Sequence, residues 1–402
     1  MKLVIFCHPE FLPSQSMPRF ARMLKSAYEA RGHEVTMWSP TPNFHRLFAA
    51  SKHAKWAGYI DQYVLFPHYV RKALKITSSE TLFVFCDQAL GPWMPLVKSR
   101  PHVVHAHDLL ALRSALGDIK ENPTSFTGRV YQRYIRRGFR QALHFISASN
   151  KTREDLQRFG GVAAQTSDVV YNGLNFPYEP MPRQEAVDVL RDAGYQVPPG
   201  GILIHVSGNQ WYKNLAGVLS IYSHYAAREI DPLPLWCVSP APTGAAKVQL
   251  SKVAGNGRVL FLQHLTSRAL QAAYSCARAL LFPSLAEGFG WPLVEAQACG
   301  CPVITTNEPP MSEVAGDAAF YLPRLQCGED LDIWGAHGAA VVKEVLSESP
   351  ENRMLRSERG RTWAKTFDAD RAIDAYLAIY HRILNHESGR AASDLVLDRG
   401  GR

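Results

Sequence analysis

Twelve short runs of β-branched and aromatic residues, separated by stretches of helical patterning, constrain this chain more than any other feature. In the first half they are KLVIFCH (2–8), HEVTMWS (33–39), TLFVFCD (81–87), HVVHAHD (102–108), HFISAS (144–149) and DVVYNG (168–173). In the second half they are ILIHVSG (202–208), LPLWCVS (233–239), RVLFLQ (258–263), ALLFPS (279–284), PVITTN (302–307) and AFYL (319–322). Continuous apolar runs of this length, spaced by helices, indicate parallel strands covered on both faces. The rhythm predicts an α/β chain of two doubly wound units, and 402 residues are enough for both cores. The boundaries read from the pattern are 1–175 and 201–365 for the two units. The proline- and glycine-rich segment 176–200, with one short helix, would link them. A helix over 366–386 would follow, and the polar, aperiodic stretch 387–402 reads as a frayed tail.

Composition narrows the class. A hydrophobic fraction of 46% with 20% charged residues belongs to a folded globular chain. No apolar run reaches the ~18 residues needed to span a bilayer, and KLVIFCH is interrupted too soon for a signal peptide. Seven cysteines without paired metal-type spacing suggest reduced thiols and a cytoplasmic setting. Cys299 and Cys301 are expected to pack rather than react. Charge is uneven: residues 1–175 hold 23 Lys/Arg against 12 Asp/Glu, a net of +11, and the rest carries −3. The first half therefore calls for an anionic partner, a membrane surface or a phosphorylated substrate. A nucleic acid would match the charge, but no nucleic-acid-binding motif accompanies it.

EGFGWPLVE (287–295) places Glu287 and Glu295 around two glycines and a proline. ALLFPS ends just before it, and Pro292 suits the first turn of a helix. Ligands of open α/β sheets bind beyond the carboxyl ends of the strands, which is where Glu287 would lie, with Glu295 about one turn into the helix. Gly288 and Gly290 let a ligand approach backbone N–H groups, and the helix start favours phosphate. Carboxylates for hydroxyls and amides for phosphate together describe a nucleotide sugar.

The segment FPSLAEGFGWPLVEAQACGCPVITTNEPPMSEVAGDAAFYL (282–322) resembles the donor-site signature of retaining GT-B glycosyltransferases of family 4. TSRALQAAYSCARAL, VSGNQWYKN, VVYNGLN and SASNKTREDL agree with it. The resemblance covers most of residues 100–385 and is weak over 40–80. It implies a GT-B fold, two Rossmann-like domains facing across a cleft, with the last helix crossing back to the first domain. It further implies that Glu287 contacts the transferred sugar while Gly288, Phe289 and Gly290 lend backbone. Glu295 would hold ribose hydroxyls, Lys213 would neutralise the donor diphosphate, and Asn214 would open the helix behind it. His264 and Leu265 would edge the nucleobase. His107, closing the HAHD strand, would face the sugar from the first domain, and Ser14, Gln15 and Ser16 would offer N–H groups to phosphate. The chain departs from the family twice: Gln210, Trp211 and Tyr212 stand where members often carry an arginine, and PEFLPSQSMPRF replaces a glycine-rich turn.

The implied activity is transfer of a sugar from a nucleotide-diphosphate donor to a sugar or lipid-linked acceptor with retention, in cell-surface polysaccharide or glycolipid assembly. An epimerase, a phosphorylase and an inactive donor-binding protein remain alternatives on the same fold. No metal or other cofactor is expected: DLD (330–332) and DAD (368–370) match a metal-binding Asp-x-Asp pattern, but both lie in the late helical region. GNGRVL (255–260) lacks the third glycine of a dinucleotide fingerprint. Finally, Arg129, Arg133, Arg136, Arg137 and Arg140 fall on one predicted helical face over 128–143. Arg133, Arg136, Arg137 and Arg140 are the expected contacts to an anionic membrane, giving a peripheral cytoplasmic protein.

Overall fold

The computed structural model describes residues 1–12 and 16–399, with side chains described as far as His386. The described residues form twelve strands: β1 Lys2–Phe6, β2 Glu34–Trp38, β3 Leu82–Phe85, β4 His102–Ala106, β5 His144–Ser147, β6 Thr166–Val169, β7 Ile202–Val206, β8 Leu235–Val238, β9 Val259–Leu262, β10 Ala277–Phe282, β11 Val303–Thr306 and β12 Phe320–Leu322. Eleven lie mainly on the apolar runs, whereas β6, with the sequence TSDV, starts before its run and shares only Asp168 and Val169 with it. They make two six-stranded parallel sheets, ordered β2-β1-β3-β4-β5-β6 and β12-β11-β10-β7-β8-β9. Central strands such as β3 and β4 are buried along their whole length, as continuous apolar runs require.

The chain divides into two units. Unit 1 holds 1–119, 123–171 and 370–402; unit 2 holds 120–122 and 172–369. In unit 1 the last helix, Ala369–Arg399, completes the core with Ile373, Tyr376, Tyr380 and Ile383. The Tyr380 hydroxyl meets Tyr28 at 3.0 Å and His105 at 2.7 Å, and Arg31 pairs with Asp370 and Asp374. This helix runs through Arg399, beyond the boundary at residue 386 read from the sequence.

The expected linker differs from its reading as well. Its helix, Arg183–Asp192, buries Ala186 and Leu190. Around it, Glu179 accepts from Gln271 and the Met181 amide donates to Ser275, both on helix Ser267–Cys276, while Arg268 pairs with Glu185. Segment 176–200 is thus part of unit 2. All seven cysteines are free thiols and six are buried. Burial pushes Cys301 up to about 12, and Cys299 rises too for the same reason, so both behave as packing residues.

Candidate active site

Strand order reverses beside β7: the chain leaves β7 for β8 and β9, then returns to place β10 on the other flank. That reversal opens a crevice at the carboxyl ends of β7 and β10. Lys213 follows β7 in a short turn, Trp211–Lys213, and Glu287 follows β10. Lys213 Nζ lies 2.7 Å from Glu287 Oε1, and the two side chains are only 15% and 6% exposed. The ammonium also stands over the rings of Tyr212 and Phe282, 5.3 and 5.2 Å from their centroids.

The backbone of the Glu287 loop is tied from several sides. The carbonyls of Phe282 and Ser284 accept from the hydroxyls of Thr305 and Thr306 at the end of β11. Pro283 accepts from the Asn214 side-chain amide at 3.0 Å. Leu285 donates to the Tyr212 carbonyl at 2.7 Å and accepts from Arg324 Nε at 2.7 Å. Arg324 is itself held by Glu121, 2.6 Å away, from the three-residue excursion 120–122 that belongs to unit 2. Asn214, in the left-handed region at φ 54°, caps helix Leu215–Ala226 through the Gly217 amide. Gly290, at φ 100°, turns the chain into helix Trp291–Ala298, whose first turn contains Pro292. Phe289 points away from the loop surface into packing with Trp291 and Phe367, so only its backbone is offered.

Glu295 is buried one turn into that helix and accepts from the Tyr274 hydroxyl at 3.0 Å. Burial and the neighbouring carboxylate hold Tyr274 well above the ordinary phenol range, so it remains a donor. On β7, His205 is fully buried. Its ring meets the Leu281 carbonyl and the Ser207 hydroxyl, each at 2.7 Å, and burial lowers it to about 4. A neutral imidazole that donates to Leu281 and accepts from Ser207 fits both contacts. His264, left-handed at φ 59°, and Leu265 follow β9, two strands away from β7 along the same edge.

Unit 1 repeats the arrangement. Its order reverses between β1 and β3, and His8 and Asp87, just beyond those strands, meet at 2.8 Å. Burial opposes ionisation of Asp87. The His8 hydrogen bond, the nearby imidazole charges and the Ala89 amide outweigh it and lower the carboxyl. His107, after β4, donates from Nε2 to the Cys86 carbonyl at 2.9 Å, while its own amide is held by Gln88. Burial lowers His107 below the ordinary imidazole value, which leaves a neutral ring with Nδ1 as acceptor. Ser16 begins helix Ser16–Ala30; Ser14 and Gln15 lie outside the described residues.

Sequence reasoning missed Arg324, Glu121, Tyr274, His205, His8 and Asp87. His8 and Asp87 sit inside quoted strand runs and were legible as polar residues at adjacent strand ends, whereas nothing local marks Arg324. The Asp-x-Asp triplets have local roles: Asp330 caps helix Leu331–Ser347, Asp332 pairs with Lys252 and Asp370 with Arg31. The single arginine face needs correction. Arg136 and Arg140 turn to donate to the carbonyls of Gly160 and Gly161, where a helix end leaves acceptors unfilled, and only Arg129, Arg133 and Arg137 stay exposed without such bonds.

Two six-stranded parallel sheets with polar groups at both reversal points define a chain of the GT-B class. A sucrose-phosphate synthase from Thermosynechococcus elongatus shares this fold, with a TM-score of 0.70 at 15% identity over 96% of this chain and 100% of that one. The model of Glycosyl transferases group 1 matches residues 201–323 and that of Glycosyltransferase Family 4 matches 17–176, together well over half of the chain. The chain belongs to the group 1, family 4 glycosyltransferases. It is 25% identical to the O-antigen chain mannosyltransferase B of Escherichia coli, covering 61% of this chain and 64% of that one. It is 39% identical to the serotype-specific mannosyltransferase WbdA of Escherichia coli over 51% of this chain and 25% of that one. The matches span less than two thirds of the length of these curated relatives. Among the described residues no helix is long and apolar enough to cross a membrane.

Proposed function

We propose that the protein transfers a sugar, with mannose the first candidate, from a nucleotide-diphosphate donor to a hydroxyl of a growing cell-surface polysaccharide or glycolipid, with retention. The observation that carries this reading is the Lys213–Glu287 pair at the strand-order reversal of unit 2, inside the matched segment 201–323. The mannosyltransferase relatives support the choice of sugar.

In the reaction, the bond from the anomeric carbon to the diphosphate oxygen breaks and one to the acceptor oxygen forms on the same face. The departing phosphate takes the acceptor's proton, so no protein base is needed. Charge grows on the diphosphate, and preorganised cations and dipoles are most effective against it. Lys213 and the helix start at Trp291 supply them. Glu287 orients the sugar and offsets positive character at its ring, while Glu295, polarised by Tyr274, holds ribose hydroxyls. Within unit 1, the neutral His107 ring keeps Nδ1 available as an acceptor.

The test is incubation with a panel of nucleotide sugars and envelope glycan acceptors, read by mass spectrometry and anomeric NMR. Turnover of a mannose donor with retention is expected, and it should survive chelation, since both Asp-x-Asp triplets have local partners. Epimerised donor without acceptor, phosphate-dependent sugar release, inversion, or inertness towards every donor would overturn the reading.

A further inference from the structure

Unit 1 exposes two apolar stripes that its own core does not use. On helix Ala54–Ile60 and the wider turn Asp61–Leu65 that continues it, Trp56, Ile60 and Val64 recur every fourth residue, 65%, 40% and 60% exposed. On helix Phe126–Phe139, Phe126, Val130 and Tyr134 do the same at 72%, 46% and 46%. A seam of tyrosines joins the stripes: Tyr59 lies 5.9 Å from Tyr131, and Tyr63 lies 5.6 Å from Tyr134, ring centre to ring centre. Tyr63 and Tyr131 also share a 2.6 Å hydrogen bond. The second helix is seated by backbone contact, because a Cβ on Gly138 would collide with the Gly91 carbonyl. That seat fixes which face looks outward.

The charge around the stripes has one sign. Residues 43–79 hold six Lys/Arg and a single acid, Asp61, which is buried and accepts from the Phe44 and His45 amides. Residues 123–143 hold five arginines and no acid. Arg129, Arg133 and Arg137 are exposed and, among the described residues, carry no ion pair. We infer that this face docks on an anionic lipid surface, the aromatic and aliphatic stripes entering the headgroup boundary while the arginines and lysines meet lipid phosphates. A second copy of the chain is a poorer occupant, because a two-fold contact here would set arginine against arginine. Nucleic acid would use the charge but has nothing to offer Ile60, Val64 and Val130. The inference does not rest on the proposed transfer reaction, and its test involves no turnover.

The test is cosedimentation of the full chain with phosphatidylcholine vesicles of rising phosphatidylglycerol content, for the wild type, Arg133→Ser/Arg137→Ser and Trp56→Ser/Phe126→Ser. All substitutions are at exposed positions, and each variant should melt with the wild type. Binding should rise with phosphatidylglycerol and fall with salt. Each basic residue near such a surface is worth about fivefold in affinity, so the arginine variant should bind tenfold or more weakly. The apolar variant should lose the residual binding that the wild type keeps in high salt. Tryptophan quenching by brominated lipid should drop in Trp56→Phe, a variant that keeps an aromatic ring in place. Wild-type indifference to anionic vesicles at low salt would overturn the inference. So would quenching unchanged in Trp56→Phe, or lipid-free self-association that Trp56→Ser abolishes.

Discussion

Lys213 and Glu287 can be separated by a double-mutant cycle that distinguishes holding the loop from acting on the donor. Charges 2.7 Å apart attract by about 6 kcal/mol at an effective dielectric near 20. Desolvation takes back much of this, since both side chains are largely removed from water. Lys213→Met leaves the Glu287 carboxylate buried without its counter-charge, a change that costs about 3 kcal/mol. For a unit of this size that lowers Tm by roughly 6–12 °C. Lys213→Met/Glu287→Gln removes the orphan charge and should recover at least half of the loss. Activity should behave oppositely: Glu287→Gln alone should cut kcat by at least ~100-fold, and the double variant should stay inactive although it is restabilised. Calorimetry and donor turnover on the four proteins complete the cycle. Additive Tm losses would mean that the pair is not coupled, and near-normal turnover in Glu287→Gln would remove it from the chemistry.

Glu295→Ala should chiefly raise the donor KM, and Tyr274→Phe should do so more weakly, because the phenol acts through the carboxylate; a kcat defect at unchanged KM in either would refute the ribose assignment. The buried His205 predicts an acid limb of instability. Its imidazole falls from 6.5 to about 4 on folding, so the unfolded chain gains a proton first as pH drops. Stability is then unaffected above 6.5 and is lost between 6.5 and about 4, by about 3 kcal/mol for this one residue. Denaturation midpoints against pH should flatten over that window in His205→Gln, and an unchanged slope would assign the acid sensitivity elsewhere.

Strands and the strand-end placement of Glu287 were legible because they depend on local pattern: an apolar run, a proline at a helix start, glycines where the chain turns. The docked segment 176–200 was not, since its proline-rich ends signal a break, while its attachment depends on Gln271, Ser275 and Arg268 about ninety residues on. Arg136 and Arg140 misled for a related reason. Helical spacing puts them on the exposed face, but long side chains reach the carbonyls of Gly160 and Gly161, which only the folded unit brings near. The tie from Glu121 through Arg324 to the Glu287 loop spans two hundred residues and leaves no periodic trace.

The last helix sets an order of events during synthesis. Unit 1 opens the chain, yet Tyr376, Tyr380 and Ile383 belong to its core, and buried Tyr28 and His105 both meet the Tyr380 hydroxyl. Unit 2 ends at Ala369, the first residue of that helix. As the chain leaves the ribosome, unit 2 can therefore close while unit 1 still waits for the final turns that complete its core. A ribosome stalled near residue 368 would release a product defective at its beginning rather than at its end.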